Sequence, residues 1–228
     1  VRAGFAFLTI GLGLKLALFP LHQWLPNAYT YAPSMVTAFL AATATKVAVY
    51  ALLRFLLGVF DIGFSLDAMP LDLILMVLGI AAILSASLVA VFQEDVKRML
   101  AYSSIAQIGY MVLGISLATS TGISAAILHL FNHALMKGAL FLALGAVVYR
   151  LGSVTVHDLA GLGRRMPWTM AAVVLGGLSL IGVPPTAGFI SKWYLVLGVL
   201  ERDLWPIAVV VWWPSRIAMT SSLRWRGC

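Results

Sequence analysis

Charged residues are scarce in this 228-residue chain, where Asp, Glu, Lys and Arg together make up 10% of the sequence. Soluble domains carry about 25% charged residues, so the composition excludes an ordinary soluble globular domain. Hydrophobic residues make up 62%, and the mean hydropathy is +1.01. Apolar runs of about 18 residues or more recur along the whole length, as in transmembrane helices. The sequence therefore predicts an all-α, polytopic transmembrane helix bundle.

Cysteine is nearly absent, since Cys228 is the only one. A disulfide framework and a Cys-based metal or redox site are excluded. The chain also has no P-loop and no GxGxxG motif after a strand, so we expect no nucleotide chemistry and no cofactor. The net charge of +7 would suggest nucleic acid in a soluble protein. Here the basic residues fall in loops or alone inside apolar runs, which indicates an anionic membrane surface and no nucleic acid.

The apolar runs predict about six full spans and part of a seventh, forming one transmembrane domain over residues 1–213. The spans cover about residues 5–19, 34–57, 70–92, 99–118, 122–149 and 168–200, and another begins near Trp205. The chain starts at Val1 inside an apolar run, and residues 214–228 form an atypical basic tail. We therefore expect an internal fragment of a longer protein, with a tail that is not native to the fold.

Prolines interrupt two of these spans. Pro20 and Pro26 follow the first apolar run, and Pro184 and Pro185 lie inside the sixth, in GVPPTAG. Proline removes a backbone donor and clashes with the preceding turn of a helix. Interrupted spans at corresponding positions of two halves are typical of transporters built from inverted repeats, with ion sites near the breaks. The sequence predicts two discontinuous helices.

Four lysines fall within the predicted spans: Lys15, Lys46, Lys137 and Lys192. Each costs about 2.5–3.5 kcal/mol at the centre of a span, so the set costs on the order of 10 kcal/mol. That is comparable to the whole stability of a typical domain, about 5–15 kcal/mol. A lysine held away from water can change its charge near neutral pH, which a proton pump or antiporter requires. Snorkelling toward an interface is the alternative for Lys15 and Lys192, and a static ion pair for Lys46 and Lys137.

His129, His133 and Lys137 lie together in the segment HLFNHALMKGALF. On a helix these three side chains occupy an arc of about 80° and climb roughly 12 Å. Three titratable groups on one face of a span predict a proton relay, with ordinary hydrogen bonding between helices as the alternative for the histidines. A metal site is disfavoured, because zinc normally takes a third protein ligand and no carboxylate or cysteine accompanies the pair.

Two other polar stretches precede this segment. The sequence QEDVKR, residues 93–98, predicts a solvated interfacial turn. The next span carries a polar cluster that favours bonding between helices, with the lining of a water wire as the alternative. Its members are Tyr102, Ser103, Ser104, Gln107 and Tyr110.

The eight carboxylates all fall in loops or at span ends: Asp61, Asp67, Asp72, Glu94, Asp95, Asp158, Glu201 and Asp203. Four intramembrane cations without an anion do not make a complete site, so we expect a partner glutamate upstream or in another subunit. The loop cations are concentrated on one side, which the positive-inside rule assigns to the cytoplasm. They are Lys97, Arg98, Arg150, Arg164 and Arg165.

Five stretches between Gly11 and Val199 resemble one family of membrane proteins. They are KLALFPLHQWLPNAYTYAP, TKVAVYALLRF, QEDVKRMLAYSSIAQIGYM, HLFNHALMKGALFLALG and LIGVPPTAGFISKW. The family is that of the antiporter-like proton-translocating subunits shared by complex I (NADH:quinone oxidoreductase), membrane-bound hydrogenases and Mrp-type sodium/proton antiporters. The sequences of the second and fifth stretches are most similar to those of the D-type antiporter component of Mrp complexes and its complex I paralogue.

The resemblance implies a fourteen-helix antiporter-like bundle, of which this chain would hold helices seven to twelve and part of thirteen. It implies that Lys15 pairs with a glutamate on helix five, which this chain lacks, and that Lys46 links two half-channels. His129, His133 and Lys137 would match the central polar axis on helix eleven. Lys192 would match the terminal lysine of the broken helix twelve.

The resemblance further implies a subunit that moves protons through lysine and histidine relays without redox chemistry of its own. Its partners would be other membrane subunits, the lipid bilayer and protons, with sodium in an Mrp setting. Its place would be the inner (cytoplasmic) membrane of the cell. A structural membrane scaffold and a non-functional truncated product are the alternatives.

Overall fold

The structure is a computed structural model that describes residues 2–60 and 70–212. Over these two ranges the regular structure is helical, apart from one isolated bridge between Asp95 and Thr155. The predicted all-α class is confirmed. The predicted loop carboxylates Asp61 and Asp67 and the basic tail lie outside the described residues.

Within the described ranges, four helices are long and apolar enough to cross a membrane. They are α3 (Ser34–Arg54), which a π-helical turn at Phe55–Val59 continues, α4 (Leu71–Val91), α5 (Val96–Ser116) and α6 (Ser120–Leu151). Even 21 residues give about 32 Å of helix, enough for the hydrocarbon core of a bilayer. Large apolar side chains such as Phe39, Phe131 and Trp168 are exposed on the outside. These faces suit lipid contact.

The other helices are short. They are α1 (Arg2–Lys15), α2 (Trp24–Tyr31), α7 (Leu162–Arg165), α8 (Pro167–Ile181) and α9 (Ala187–Leu200). A 3₁₀ turn occupies His157–Leu159, and residues 205–212 are again helical. Since 14 or 15 residues give only about 22 Å, α8 and α9 are each too short to span a bilayer alone. The predicted interruption of this span is confirmed.

The first break begins earlier than predicted, because α1 ends at Lys15 and Ala17 has a φ of 60°. The indole Nε1 of Trp24 donates to the carbonyl of Leu14 at 3.0 Å and so satisfies one acceptor at the end of α1. Pro20 lies in the turn that follows. The predicted interruption at Pro26 is wrong, because Pro26 is the third residue of α2. An N–H in the first helical turn has no acceptor within the helix, so proline loses nothing there.

The predicted solvated turn at residues 93–98 is shorter than expected. The carboxylate of Asp95 accepts a hydrogen bond from the backbone N–H of Arg98 at 2.8 Å and caps α5, which begins at Val96. Lys97 is only 8% exposed, and its Nζ lies 3.5 Å from the carbonyl oxygen of Ala32 at the end of α2. The prediction of a solvated side chain is therefore wrong for Lys97, because α2 packs against the start of α5.

The loop between α6 and α7 folds back onto the same cap. The N–H of Val96 donates to the carbonyl of Val154 at 3.2 Å, and the N–H of Val156 donates to the carbonyl of Glu94 at 3.0 Å. Within the loop, the backbone N–H and the hydroxyl of Thr155 each donate to Asp158 at 2.8 Å. These bonds, led by the backbone one, hold the pKa of the Asp158 carboxyl below its usual value.

Helix α5 forms the centre of the bundle. In its most apolar stretch of 18 residues, 83% of the residues are buried, and α4, α6 and α9 pack around it. Glycines allow the closest approaches. A Cβ added to Gly109 of α5 would lie 2.7 Å from the carbonyl oxygen of Gly79 in α4, and one added to Gly138 of α6 would lie 3.4 Å from the Cβ of Ala42 in α3. Close packing of this kind brings side chains of α3, α5, α6 and α9 into one shared interior.

Gly188→Ala tests the packing of the two half-helices α8 and α9. A Cβ at Gly188 would lie 1.8 Å from the carbonyl oxygen of Ser179, so the half-helices would have to separate. We expect destabilisation by at least about 1–3 kcal/mol, the usual cost of overpacking. The measurement is the midpoint of thermal unfolding in detergent.

Gly177→Ala is the matched control, because a Cβ at Gly177 meets nothing within 4 Å. It should leave the midpoint unchanged or raise it, since alanine favours helix over glycine. Equal effects of the two substitutions would contradict the packing described for Gly188.

Candidate functional site

Helix α6 places three titratable side chains in the interior of the bundle, as the sequence predicts. His129 is 3% exposed, and His133 and Lys137 are fully buried. Their spacing of four residues sets them one above the other on a single face. This face is directed toward the polar side chains of α5, α9 and α3.

The imidazole of His129 is held at both ring nitrogens. Its Nε2 lies 2.7 Å from Oε1 of Gln107 on α5, and its Nδ1 lies 2.8 Å from Oγ of Ser191 on α9. The ring of Tyr110 packs against it edge to face, with the ring centroids 5.8 Å apart. His129 therefore joins three helices through hydrogen bonds, which confirms bonding between helices for this histidine.

His133 differs sharply from His129. Its ring is stacked on that of His129 with centroids 6.2 Å apart, yet neither of its nitrogens has a hydrogen-bond partner among the residues that the structure describes. An unsatisfied buried polar group costs about 1–3 kcal/mol, so His133 is not explained by its contribution to folding.

Lys137 is bonded to the neighbouring helix α5. Its Nζ donates to the carbonyl of Leu100 at 2.6 Å and to the hydroxyl of Ser103 at 2.5 Å. It also lies 5.9 Å from the centroid of the Phe141 ring, within the range of a cation–π contact. Together with the bond of Gln107, the bond of Ser103 confirms the predicted bonding between helices for these two members of the polar cluster of α5.

Lys46 brings α3 into the same interior, where it is 4% exposed. Its Nζ donates to the carbonyl of Ala41 and, at 3.3 Å, to the hydroxyl of Thr45, both on its own helix. Helix α3 packs closely against α6, as at Ala42 and Gly138. The ion pair that was the alternative for Lys46 is not formed within residues 2–60 and 70–212, where its bonding partners are a carbonyl and a hydroxyl.

Lys192 joins the two half-helices of the second break. Its Nζ donates to the carbonyls of Leu180 and Ile181, at 3.1 and 2.9 Å, and lies 4.9 Å from the centroid of the Tyr110 ring. These carbonyls belong to the C-terminal end of α8, where a cation is favoured by the helix dipole. The snorkelling alternative is wrong for Lys192, since it is 2% exposed. The breaking residues Pro184 and Pro185 lie between the two half-helices.

Lys15 does not join the other three lysines. It is the last residue of α1 and is exposed, beside the turn that holds Pro20. The sequence places Lys15 inside an apolar span, whereas the helix ends at this residue. Within the described part of the chain, Lys15 therefore contributes no contact to the shared interior.

Five buried side chains thus lie together in the interior, and we call them the lysine–histidine column: Lys46, Lys137, His133, His129 and Lys192. Sequence reasoning missed Ser191 and the backbone carbonyls that receive the lysines. Ser191 directly precedes Lys192 in the sequence and lies on the buried side of α9. Its position next to a candidate lysine was the one sequence feature that could have indicated it. The types of the side chains do not show which backbone carbonyls will accept a hydrogen bond. No group of three His, Cys, Asp or Glu residues that could hold a metal occurs in the described ranges.

This bundle of long and interrupted apolar helices, with amines and imidazoles enclosed, defines a class of multi-pass membrane proteins. The chain belongs to the family described as NADH:quinone oxidoreductase/Mrp antiporter, transmembrane, whose model matches residues 1–218. The predicted resemblance is confirmed at this level.

Relatives of known name agree with the family. The NADH-quinone oxidoreductase subunit N of Desulforudis audaxviator is 49% identical over 208 residues, which cover 90% of this chain and 40% of that protein. A chain of the Mrp complex from Dietzia sp. superposes with a TM-score of 0.90 at 33% identity, over 98% of this chain and 41% of its own length. A chain of an archaeal membrane-bound sulfane sulfur reductase superposes at 0.84 with 36% identity, over 94% of this chain and 43% of its own length. The chain thus spans about two-fifths of the length of these relatives.

The two histidines should differ in what they contribute to stability. His129→Leu leaves Gln107 and Ser191 without their partner in a buried position. We expect a loss of about 1–3 kcal/mol, the cost of orphaned polar groups. His133→Leu removes a ring whose nitrogens have no hydrogen-bond partner within residues 2–60 and 70–212, so we expect a neutral or stabilising effect. Thermal unfolding of the two variants in detergent provides the comparison, and a larger loss for His133→Leu would contradict the hydrogen bonding described here.

Proposed function

We propose that this chain is a proton-translocating part of a membrane complex, in which protons move along the lysine–histidine column. The observation that carries the proposal is the burial of three lysines and two histidines side by side, with no carboxylate bonded to Lys46 or Lys137 within the described residues. Intramembrane ionisable residues are costly and mark proton or ion pathways.

The order of the column follows its contacts. Helix α3, which carries Lys46, packs against α6 where Ala42 meets Gly138. On α6, His133 stacks on His129. The ring of Tyr110 packs against His129 and also faces Nζ of Lys192 at 4.9 Å. Neighbouring titratable groups whose charges repel one another favour moving a proton onward over storing several at once. A path from α3 through α6 to the second break satisfies this condition.

His133 gives the proposal further support. A structural scaffold, the alternative function, accounts for the carbonyl bonds of the three lysines, because each of them ties backbone within or between helices. It does not account for a fully buried imidazole whose two nitrogens have no hydrogen-bond partner among the described residues, since an apolar side chain would serve folding better there. A relay needs a group at this position that can take up and release a proton.

Lys15 belongs to the proposal as the entry of the path. Its exposure at the end of α1 leaves it open to a partner that the described residues do not supply. The resemblance implies a glutamate for this partner. We place that glutamate outside this sequence, in the same polypeptide or in another membrane subunit.

The family spans two kinds of parent complex. In a complex I-like enzyme, redox energy from other subunits would drive the protons, whereas in an Mrp-type antiporter proton flow would be exchanged for sodium. In either setting the partners are other membrane subunits and the lipid bilayer. The redox centres and quinone chemistry would belong to those other subunits.

The proposed location is the inner membrane of the cell, with the basic loops on the cytoplasmic side. Lys97 and Arg98 lie in the first turn of α5, Arg150 lies in the last turn of α6, and Arg164 and Arg165 lie in α7. Hydrogen bonds of the backbone join the cap of α5 to the loop between α6 and α7, which supports one side of the membrane for all five basic residues. The positive-inside rule assigns this side to the cytoplasm.

Lys137→Ala in the full chain within its membrane complex should reduce proton uptake by reconstituted vesicles at least tenfold while the complex still assembles. The reason is that alanine leaves no group at this point of the column that can carry a proton. The readout is the quenching of a pH-sensitive dye inside the vesicles, alongside size-exclusion profiles of the complex.

Lys97→Met provides the matched control, because Lys97 is also buried and bonded to a carbonyl but lies outside the column. It should transport like the wild type. A scaffold would instead show unchanged transport and lowered thermal stability in Lys137→Ala, and wild-type uptake in that variant would overturn the proposal.

The orientation can be tested by thiol labelling of intact cells in a background where Cys228 is replaced by serine. A membrane-impermeant reagent applied from outside should leave Gly163→Cys unlabelled, since Gly163 is exposed between α6 and α8 with open space around it. It should label Ser120→Cys, at the start of α6 on the opposite side. The reverse pattern would show that the basic loops face outward.

A further inference from the structure

The amide of Gln107 has only one chemically sensible orientation. One end of this amide lies 3.4 Å from the carbonyl oxygen of Leu180, which can only accept a hydrogen bond, so this end is the NH₂ group. The other end, the oxygen Oε1, then faces Nε2 of His129 at 2.7 Å. Since an amide oxygen can only accept, Nε2 of His129 must carry a hydrogen.

The second ring nitrogen of His129 faces a group that can both donate and accept. The hydroxyl of Ser191 lies 2.8 Å from Nδ1 and 3.2 Å from the carbonyl oxygen of Gly188. It has one hydrogen for these two acceptors. When the imidazole is neutral, the hydroxyl donates to Nδ1. When Nδ1 is protonated, it donates to Ser191, and the hydroxyl hydrogen turns to Gly188.

We infer that Gln107 and Ser191 are positioning residues of the relay, because together they make Nδ1 of His129 the atom at which its proton is gained and lost. Gln107 holds Nε2–H in every charge state, so the proton cannot exchange on the side of α5. The exchangeable proton is therefore the one on Nδ1, the ring nitrogen that faces the hydroxyl of Ser191 on α9. This inference rests on the proposed proton relay.

The other groups around His129 do not offer a competing exchange path. The hydroxyl of Tyr110 on α5 donates to the carbonyl of Val211 at 3.2 Å and is engaged there. His133 on the same helix presents a stacked ring face. Lys46 donates to a carbonyl and a hydroxyl of α3, and Lys192 donates to two carbonyls at the end of α8. No carboxylate within the described ranges bonds to either nitrogen.

The geometry also connects this proton to the break between α8 and α9. Gly188 is the second residue of α9, and its N–H faces the hydroxyl of Ser179 on α8 at 3.3 Å. The hydroxyl of Ser191 makes its bond to the carbonyl of Gly188 only when Nδ1 is protonated. Each protonation of His129 thus adds one hydrogen bond at the point where the half-helices meet.

The direct test is ¹⁵N NMR of the full chain in its complex, labelled at histidine and reconstituted into lipid vesicles. The His129 signals are assigned by their loss in His129→Gln. We expect the neutral ring of the wild type to show a protonated Nε2 and an unprotonated Nδ1. Gln107→Leu removes the acceptor, so both tautomers should appear and proton uptake should fall at least tenfold. Gln107→Glu keeps an acceptor oxygen at this position and should restore the single tautomer.

Ser191 is tested on the other side of the ring. Ser191→Ala should keep the tautomer but lower proton uptake at least tenfold, and Ser191→Thr, which retains the hydroxyl, should recover most of it. Ser116→Ala is the control, because Ser116 is also buried and bonds a carbonyl three residues earlier, that of Leu113, but lies away from the histidines.

A wild-type His129 with its hydrogen on Nδ1 would overturn the inference, as would a single tautomer in Gln107→Leu or wild-type uptake in Ser191→Ala. The failure of the proposed function would look different. In that case His129→Gln and Lys137→Ala would transport like the wild type, although the neutral ring of His129 still carried its hydrogen on Nε2.

Discussion

The rest of the structure depends on one constraint: amines enclosed in an apolar bundle must find acceptors there. Lys137 and Lys192 meet it with backbone carbonyls, those of Leu100, Leu180 and Ile181. The carbonyls of Leu180 and Ile181 are available because α8 ends at the break, which frees the last acceptors of a helix. The break between α8 and α9 therefore supplies the carbonyls that the buried Lys192 needs as acceptors.

The two histidines on one face of α6 differ in their hydrogen bonding. His129 is bonded at both nitrogens and joins α5, α6 and α9. His133 lies one turn away and is fully buried, and neither of its nitrogens has a hydrogen-bond partner among the described residues. A buried polar group without a partner costs stability, so its presence agrees with the proton movement proposed for this site.

Much of the fold could be predicted from the sequence, because long apolar runs and prolines act locally. The spans over α3 to α6 and the break at Pro184 and Pro185 follow from hydropathy and from the missing N–H of proline. The predictions that were wrong concern residues whose surroundings depend on how the helices pack. Pro26 is harmless because it falls in the first turn of α2, and Lys97 is buried because α2 covers the start of α5.

The sequence by itself determined which residues could carry protons, because lysine and histidine in a lipid-like segment are recognisable by their cost alone. Only the tertiary structure decided which of them meet. It set Lys15 apart at the end of α1 and brought Lys46, Lys137 and Lys192 into one interior. Contacts between residues distant in the chain, such as that of Gln107 with His129, depend on how helices pack, and no local pattern records that. The physical reason is that hydropathy is a property of segments, whereas a hydrogen bond is a property of two atoms in space.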